Sequence, residues 1–256
     1  MTSPNLVETH IADGVLHILL SRPEKKNALT RAMYKAMADA LDAAATDPAQ
    51  RVVVFSGAGD AFTAGNDLMD FASSGGNVSE VMRFLKVLVD FPKPLLAAVH
   101  GAAVGIGTTM LLHCDIAWAA PSARFKTPFV DLGLVPEAAS SYLMPRQFGA
   151  ARAAQMLLLG ETIDGATAAA WGLVAGVVPE ESLLTTVMEK ARHLASRAPT
   201  AVRESKALLK AGTRDAVRDV MMREGDIFRA RLTSPEAREA MMAFLQKRRP
   251  DFSKFE

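Results

Sequence analysis

Apolar positions along this chain switch between strand-like runs and helix-like spacing. Val15–Leu20 is a short apolar run that stops at Arg22-Pro23 and predicts a strand. Beyond it, Met33, Met37, Leu41 and Ala44 recur at helical spacing, with Thr30 placed to cap the helix start. Residues 51–56 form a β-branched strand stopped by Gly57 and Gly59, and Leu95–Val99 forms another stopped by Gly101. Each is expected to run into a helix. Further strands are predicted at 114–119 and 174–178, and strands alternating with helices predict an α/β core. From Glu181 the pattern is helical only, with Leu183, Val187, Ala191 and Leu194 on one stripe, followed by 202–209 and 216–232. The chain therefore divides into a core, 1–195, and a helical lobe, 196–256. The polar, glycine-bearing segment 73–79 is the best loop and is expected to be mobile over a pocket.

Composition narrows the picture. Among 256 residues, 29 Lys and Arg balance 28 Asp and Glu, so the net charge of +1 gives no general attraction to nucleic acid. With Cys114 alone, neither an intrachain disulfide nor a cysteine-based zinc cluster can form, and a cytoplasmic location is expected. Residues 94–114 carry no formal charge, but Gly101, Gly105, Gly107 and His100 interrupt them, which favours strand, turn and buried helix over a membrane span. His100 and His113 lie in apolar runs with no partner at metal spacing; they are expected to be buried and hydrogen-bonded, with no metal. Arg203, Lys206 and Lys210 share one helix face and read as a solvated stripe.

Three stretches carry candidate chemistry. The glycines at 101, 105 and 107 fail a dinucleotide fingerprint, since Met110 stands where the third glycine belongs and no acidic residue follows about twenty positions on. No lysine follows them, so a Walker loop fails too. A strand entering a helix start remains, with free N–H groups suited to an anion or simply to close packing. The second turn, Phe62-Thr-Ala-Gly65-Asn66-Asp67-Leu68, is of the same kind. If the N–H groups of Asn66 and Ile106 face one point, they form an oxyanion hole for a thioester oxygen turning into an enolate. The third stretch sets Glu137 after Pro136 among small and apolar residues. It is either a first-turn helix residue or, if desolvated, a general base. Asp67, Asp70 and Asp131 are rival acids, with Asp67 the natural helix-start residue.

In their order, Arg22-Pro23, Asn27-Ala28-Leu29, "FTAGNDL", "KPLLAAVHGAAVGIG", "CDIAWAAPSARFKTPFVDLGLVPE", "AAAWGLVAGVV" and "AFLQKRRPDF" resemble the crotonase superfamily, also called the enoyl-CoA hydratase/isomerase family, over nearly the whole chain. The resemblance implies a crotonase-like spiral of ββα units with a C-terminal helical lobe, assembled as a homotrimer or homohexamer. It implies an acyl-CoA substrate and no permanently bound cofactor. By position, Asn66 and Ile106 would supply the oxyanion N–H groups, and Arg22, Lys25, Asn27 and Ala64 would lie near the adenine end of coenzyme A. Phe228 and Lys247 match positions that meet the cofactor, commonly from an adjacent subunit. Family hydratases use two glutamates; Thr109 and Phe129 stand at those places here. Glu137 falls where monofunctional 3,2-enoyl-CoA isomerases carry their single acid, so isomerisation is the expected activity. The alternatives are a hydratase, another crotonase-type CoA-thioester enzyme, or a non-catalytic RNA-binding or scaffold member.

Overall fold

The computed structural model describes residues 6–73 and 77–255. The hairpin β1 (Val7–Ala12) and β2 (Val15–Leu20) leads through α1 (Arg31–Thr46) to β3 (Val52–Gly57) and the short β4 (Ala61–Thr63). Helices α2 (Leu68–Ser73) and α3 (Ser79–Asp90) precede β5 (Leu95–Val99), β6 (Ala102–Val104) and α4 (Ile106–Thr109). Then come β7 (Ile116–Ala119), β8 (Arg124–Lys126), α5 (Ser140–Phe148), α6 (Ala150–Leu157), β9 (Ile163–Asp164), α7 (Gly165–Trp171) and β10 (Gly176–Val177). The chain closes with α8 (Glu180–Ala195), α9 (Pro199–Ala211), α10 (Arg214–Leu232) and α11 (Pro235–Leu245).

Two mixed sheets result. The larger has the order β1-β2-β3-β5-β7-β10, antiparallel only at its β1-β2 edge. Its central strands are apolar on both faces because both faces are covered. Leu16, Val53, Phe55, Leu95 and Ala97 point into the main core with Met33, Tyr34, Met37 and Leu41 of α1. Their neighbours Val15, Val52, Val54, Leu96 and Ala98 face the other way, onto Leu183, Val187, Ala191 and Ala195 of α8. Thr30 caps α1 as expected, its Oγ1 accepting from the Met33 N–H.

The second sheet, β4-β6-β8-β9, is where the sequence reading falls short. Strand β3 does not pass directly into a helix; it leads into β4, and β5 leads into β6 before α4 begins. These strands are two or three residues long, too short for a period-two signal. The predicted strands 114–119 and 174–178 shrink to their paired parts, β7 and β10. Part of the loop expected at 73–79, residues 74–76, lies outside the described residues. Among the described residues no helix is long and apolar enough to cross a membrane.

Gly101 joins the two sheets. It has φ of +54°, and a Cβ there would lie 1.9 Å from the Asp60 carbonyl oxygen, a backbone atom that cannot swing aside. Gly101→Ala is therefore expected to cost about 3 kcal/mol or more. Urea unfolding checks it: the midpoint falls while the slope stays that of the parent.

Candidate active site

The short sheet stacks two strand-to-helix turns. Strands β4 and β6 run parallel, with Ala61 opposite Ala102 and Thr63 opposite Ala103 across a bulge, so the segments leaving them stay side by side. Gly65 sits against the Val104 carbonyl, and a Cβ there would lie 2.7 Å from that oxygen. Its φ of +86° is likewise one that glycine adopts without strain. One residue on in each turn stand Asn66 and Ile106.

Their N–H groups are both left over by the local geometry. Asn66 forms a parallel bridge with Leu29, which uses the Gly65 carbonyl (2.7 Å) and the Asp67 N–H (2.9 Å) and turns the Asn66 N–H to the other side. Ile106 is the first residue of α4, whose opening N–H groups have no carbonyl a turn earlier. Neither N–H donates to another described group. Below them, the buried Tyr34 of α1 donates its hydroxyl to Asn66 Oδ1.

Glu137 is not in the first turn of a helix. Two residues with positive φ, Ala138 and Ala139, separate it from α5, and its side chain is buried. Thr109, one turn along α4 from Ile106, donates its hydroxyl to Glu137 Oε1. That hydroxyl also lies 3.3 Å from the Gly105 carbonyl. It therefore has a place for its proton in either state of the acid: it donates to the ionised carboxylate, or accepts from the protonated one while turning to Gly105. Burial pushes the Glu137 pKa up to about 8, against the lowering effect of the Thr109 bond and with a further push from the charge of Glu224. Tyr34 is raised well above the ordinary phenol value, by burial first and then by Glu137, which places the carboxyl in its electrostatic reach.

The rival acids are otherwise engaged. Asp131 is exposed and pairs with Lys126 at 3.1 Å, unlike the buried Glu137. Asp67 takes the N–H groups of Met69 and Asp70 at the start of α2 and pairs with Arg22 at 2.6 Å. Asp70 pairs with Arg31 at 3.2 Å.

Arg22, Lys25 and Asn27 lie on one loop that is hydrogen-bonded to the segment holding Ala64 and Asp67, on either side of the Asn66 turn. Arg22 reaches the Ala28 carbonyl as well as Asp67, and the Ala64 N–H donates to the Lys26 carbonyl. Lys25 is exposed. Asn27 is fully buried: its amide donates to the Ala58 and Ala61 carbonyls and its Oδ1 accepts from the Arg22 N–H, so it braces the loop. Phe228 lies elsewhere, buried in the main core on α10, and Lys247 is exposed just beyond α11. His113 is buried and bonded to the Ala138 carbonyl at 2.8 Å, as expected; His100 is only half-buried, beside the Gly59 carbonyl at 2.9 Å. In the supposed solvated stripe, Lys206 is buried, donating to the Lys93 carbonyl and pairing with Asp115 at 2.8 Å.

The sequence reading did not single out Tyr34 or Glu224. Glu224 of α10 is buried and binds the turn after Glu137, with its Oε2 2.6 Å from the Ala139 N–H. A glutamate on the apolar side of a helical stripe, four residues before Phe228, was the available signal.

The family model described as enoyl-CoA hydratase/isomerase matches residues 10–254. The chain is 40% identical over 243 residues to enoyl-CoA delta isomerase 2 of Rattus norvegicus, covering 92% of this chain and 62% of that protein's length. It is 34% identical to 2,3-dehydroadipyl-CoA hydratase of Escherichia coli K12, covering 93% and 94%. The solved enoyl-CoA hydratase/isomerase of Pseudoalteromonas atlantica T6c superposes with a TM-score of 0.93 at 42% identity, covering 97% of this chain and all of that one.

The raised pKa of Glu137 has a consequence for stability. Between its ordinary value of 4.5 and about 8, the folded chain holds a proton that the unfolded chain releases, so stability from this group is complete below pH 4.5 and is lost as pH rises toward 8. Glu137→Gln removes that loss. Its melting-temperature gain over the parent is expected to grow from pH 5 to 8 and then level off, at an advantage on the order of 4 kcal/mol. Thermal unfolding across that pH range checks it.

Proposed function

Because this chain belongs to the enoyl-CoA hydratase/isomerase family, we propose that it moves the double bond of an acyl-CoA thioester from C3=C4 to C2=C3, with Glu137 as the only proton carrier. The observation that carries this reading is the buried Glu137 carboxyl, hydrogen-bonded by the Thr109 hydroxyl and pushed up to about pH 8, chiefly by burial. A group of that basicity both takes and returns a proton near neutrality.

In the forward direction Glu137 takes the C2 proton, and the electron pair moves into the thioester carbonyl to give a dienolate. The Asn66 and Ile106 N–H groups donate to its oxygen, each contributing on the order of 3 kcal/mol if it acts like other oxyanion donors. Glu137 then gives the same proton to C4, which restores the carbonyl and leaves the conjugated 2-enoyl product. The Thr109 hydroxyl follows the acid through both states by exchanging its bond between Glu137 and Gly105. No water is consumed, which suits a site where Thr109 and Phe129 replace the two glutamates of the family's hydratases.

The Arg22 to Asn27 loop and Ala64 supply the surface proposed for the adenine end of coenzyme A, with Asn27 holding that loop in shape. Lys247, which is exposed, belongs to this proposal as a contact made across a subunit boundary, whereas Phe228 packs in its own chain's core. Assembly into a homotrimer or homohexamer is supported by the apolar side chains left exposed on the C-terminal helices: Leu208 is 77% and Leu209 83% exposed, and Phe244 and Leu245 are exposed as well. Light scattering is expected to give three or six times 27.4 kDa.

Glu137→Gln is expected to lower turnover of 3-hexenoyl-CoA by about 10² to 10⁴-fold. For the parent, kcat/KM should climb with pH, as the ionised base accumulates, to a plateau above about pH 8. Chromatography should find a 2-enoyl product; a 3-hydroxyacyl product would mark a hydratase instead, and near-parent turnover in Glu137→Gln would remove it from the mechanism.

A further inference from the structure

The segment that carries Glu137 into α5 is backbone that alanine rarely adopts. Ala138 and Ala139 have φ of +58° and +55°, two left-handed residues in succession without a glycine. The chain turns back on itself there, the Ser140 N–H donating to the Glu137 carbonyl at 3.1 Å. Such a turn persists only if its surroundings hold it.

Two side chains grip it, one at a carbonyl and one at N–H groups. His113, in the turn after α4, meets the Ala138 carbonyl with its Nε2 at 2.8 Å. A carbonyl only accepts, so that nitrogen carries the proton; burial pushes the His113 pKa down to about 4, leaving the ring neutral. Glu224 comes from α10, more than eighty residues away in sequence. Its Oε2 accepts from the Ala139 N–H at 2.6 Å, and its Oε1 accepts from the Ser141 N–H at 2.9 Å and from the Ser141 hydroxyl. Three donors on one carboxylate are the arrangement of an ionised acceptor, although burial pushes its pKa up. No other described side chain bonds the N–H groups of this turn.

We propose that Glu224 is the positioning residue of the proton shuttle: its carboxylate locks the left-handed turn that aims Glu137 and sets a second acidic side chain behind that turn. This rests on the proton-shuttle reading for its purpose, though not for its geometry. Glu137 is faced by the Thr109 hydroxyl of α4, the Tyr34 phenol of α1 and Glu224 of α10, with neutral His113 on the neighbouring carbonyl and the cations Lys206 and Lys210 of α9 beyond His113. Glu224 is thus the charged partner acting on it directly. It raises the proton affinity that a carboxyl needs if it is to give back what it removed.

The test separates the lock from the charge and does not depend on turnover alone. In full-length protein, the pH dependence of unfolding with and without Glu137→Gln reads the Glu137 pKa, first in the parent and then with Glu224→Gln or Glu224→Asp added. Glu224→Gln keeps the shape and loses the charge; it is expected to move that pKa down by about half a unit or more. Glu224→Asp keeps the charge and shortens the reach; it should leave the pKa within a few tenths while lowering kcat on 3-hexenoyl-CoA about tenfold, with KM little changed. If Glu224→Gln folds poorly, adding Ala139→Gly, which accepts φ near +55° without strain, should restore folding but not the parent pKa. An unmoved pKa in Glu224→Gln, in either background, overturns the charge role, and full kcat in Glu224→Asp overturns the lock. Should the parent fail to isomerise 3-hexenoyl-CoA, the functional reading falls, while the pKa comparison still decides whether Glu224 acts on Glu137.

Discussion

The contact between Gly65 and the Val104 carbonyl is the constraint on which the candidate site depends. Backbone polar groups inside a protein are nearly always satisfied by their own secondary structure. Here a parallel bridge and a helix start each leave one N–H over, and the stacking of the two turns puts both leftovers on neighbouring residues. Any side chain at position 65 would push the turns apart. The small second sheet looks slight beside the six-stranded one, yet its register is what sets Asn66 beside Ile106.

Around this backbone frame the side chains divide the remaining work. Tyr34 fixes the Asn66 side chain from α1, so the turn is held from below by the core itself. Thr109 and Glu137 form a pair in which one hydroxyl adjusts to two protonation states, donating to the carboxylate or accepting from the acid. The loop bearing Arg22 and Asn27 is tied to the same turn through Asp67 and through the Ala64 N–H. The loop and the Asn66 turn are therefore parts of one hydrogen-bonded unit.

Much of this was legible in the residues. The amphipathic stripe of α1, its Thr30 cap and the apolar strands all follow from spacing and residue type, and the ordered motifs identified the family. What the sequence withheld has physical causes. Strands of two or three residues have no measurable period, which hid the second sheet. The burial of Lys206 depends on Asp115 and the Lys93 carbonyl, neither of them near it in sequence. The left-handed pair at Ala138 and Ala139 carries no glycine to announce it, and the residue that makes it tolerable lies on another helix.

That long-range brace bears on how the molecule becomes competent. During synthesis both sheets, the turns bearing Asn66 and Ile106, and Glu137 itself emerge well before α10. A nascent chain can assemble all of them and still lack the carboxylate that takes the Ala139 and Ser141 N–H groups. Closure of the turn after Glu137 then waits on the docking of one of the last helices, so a partly made or frayed molecule carries that left-handed pair unheld.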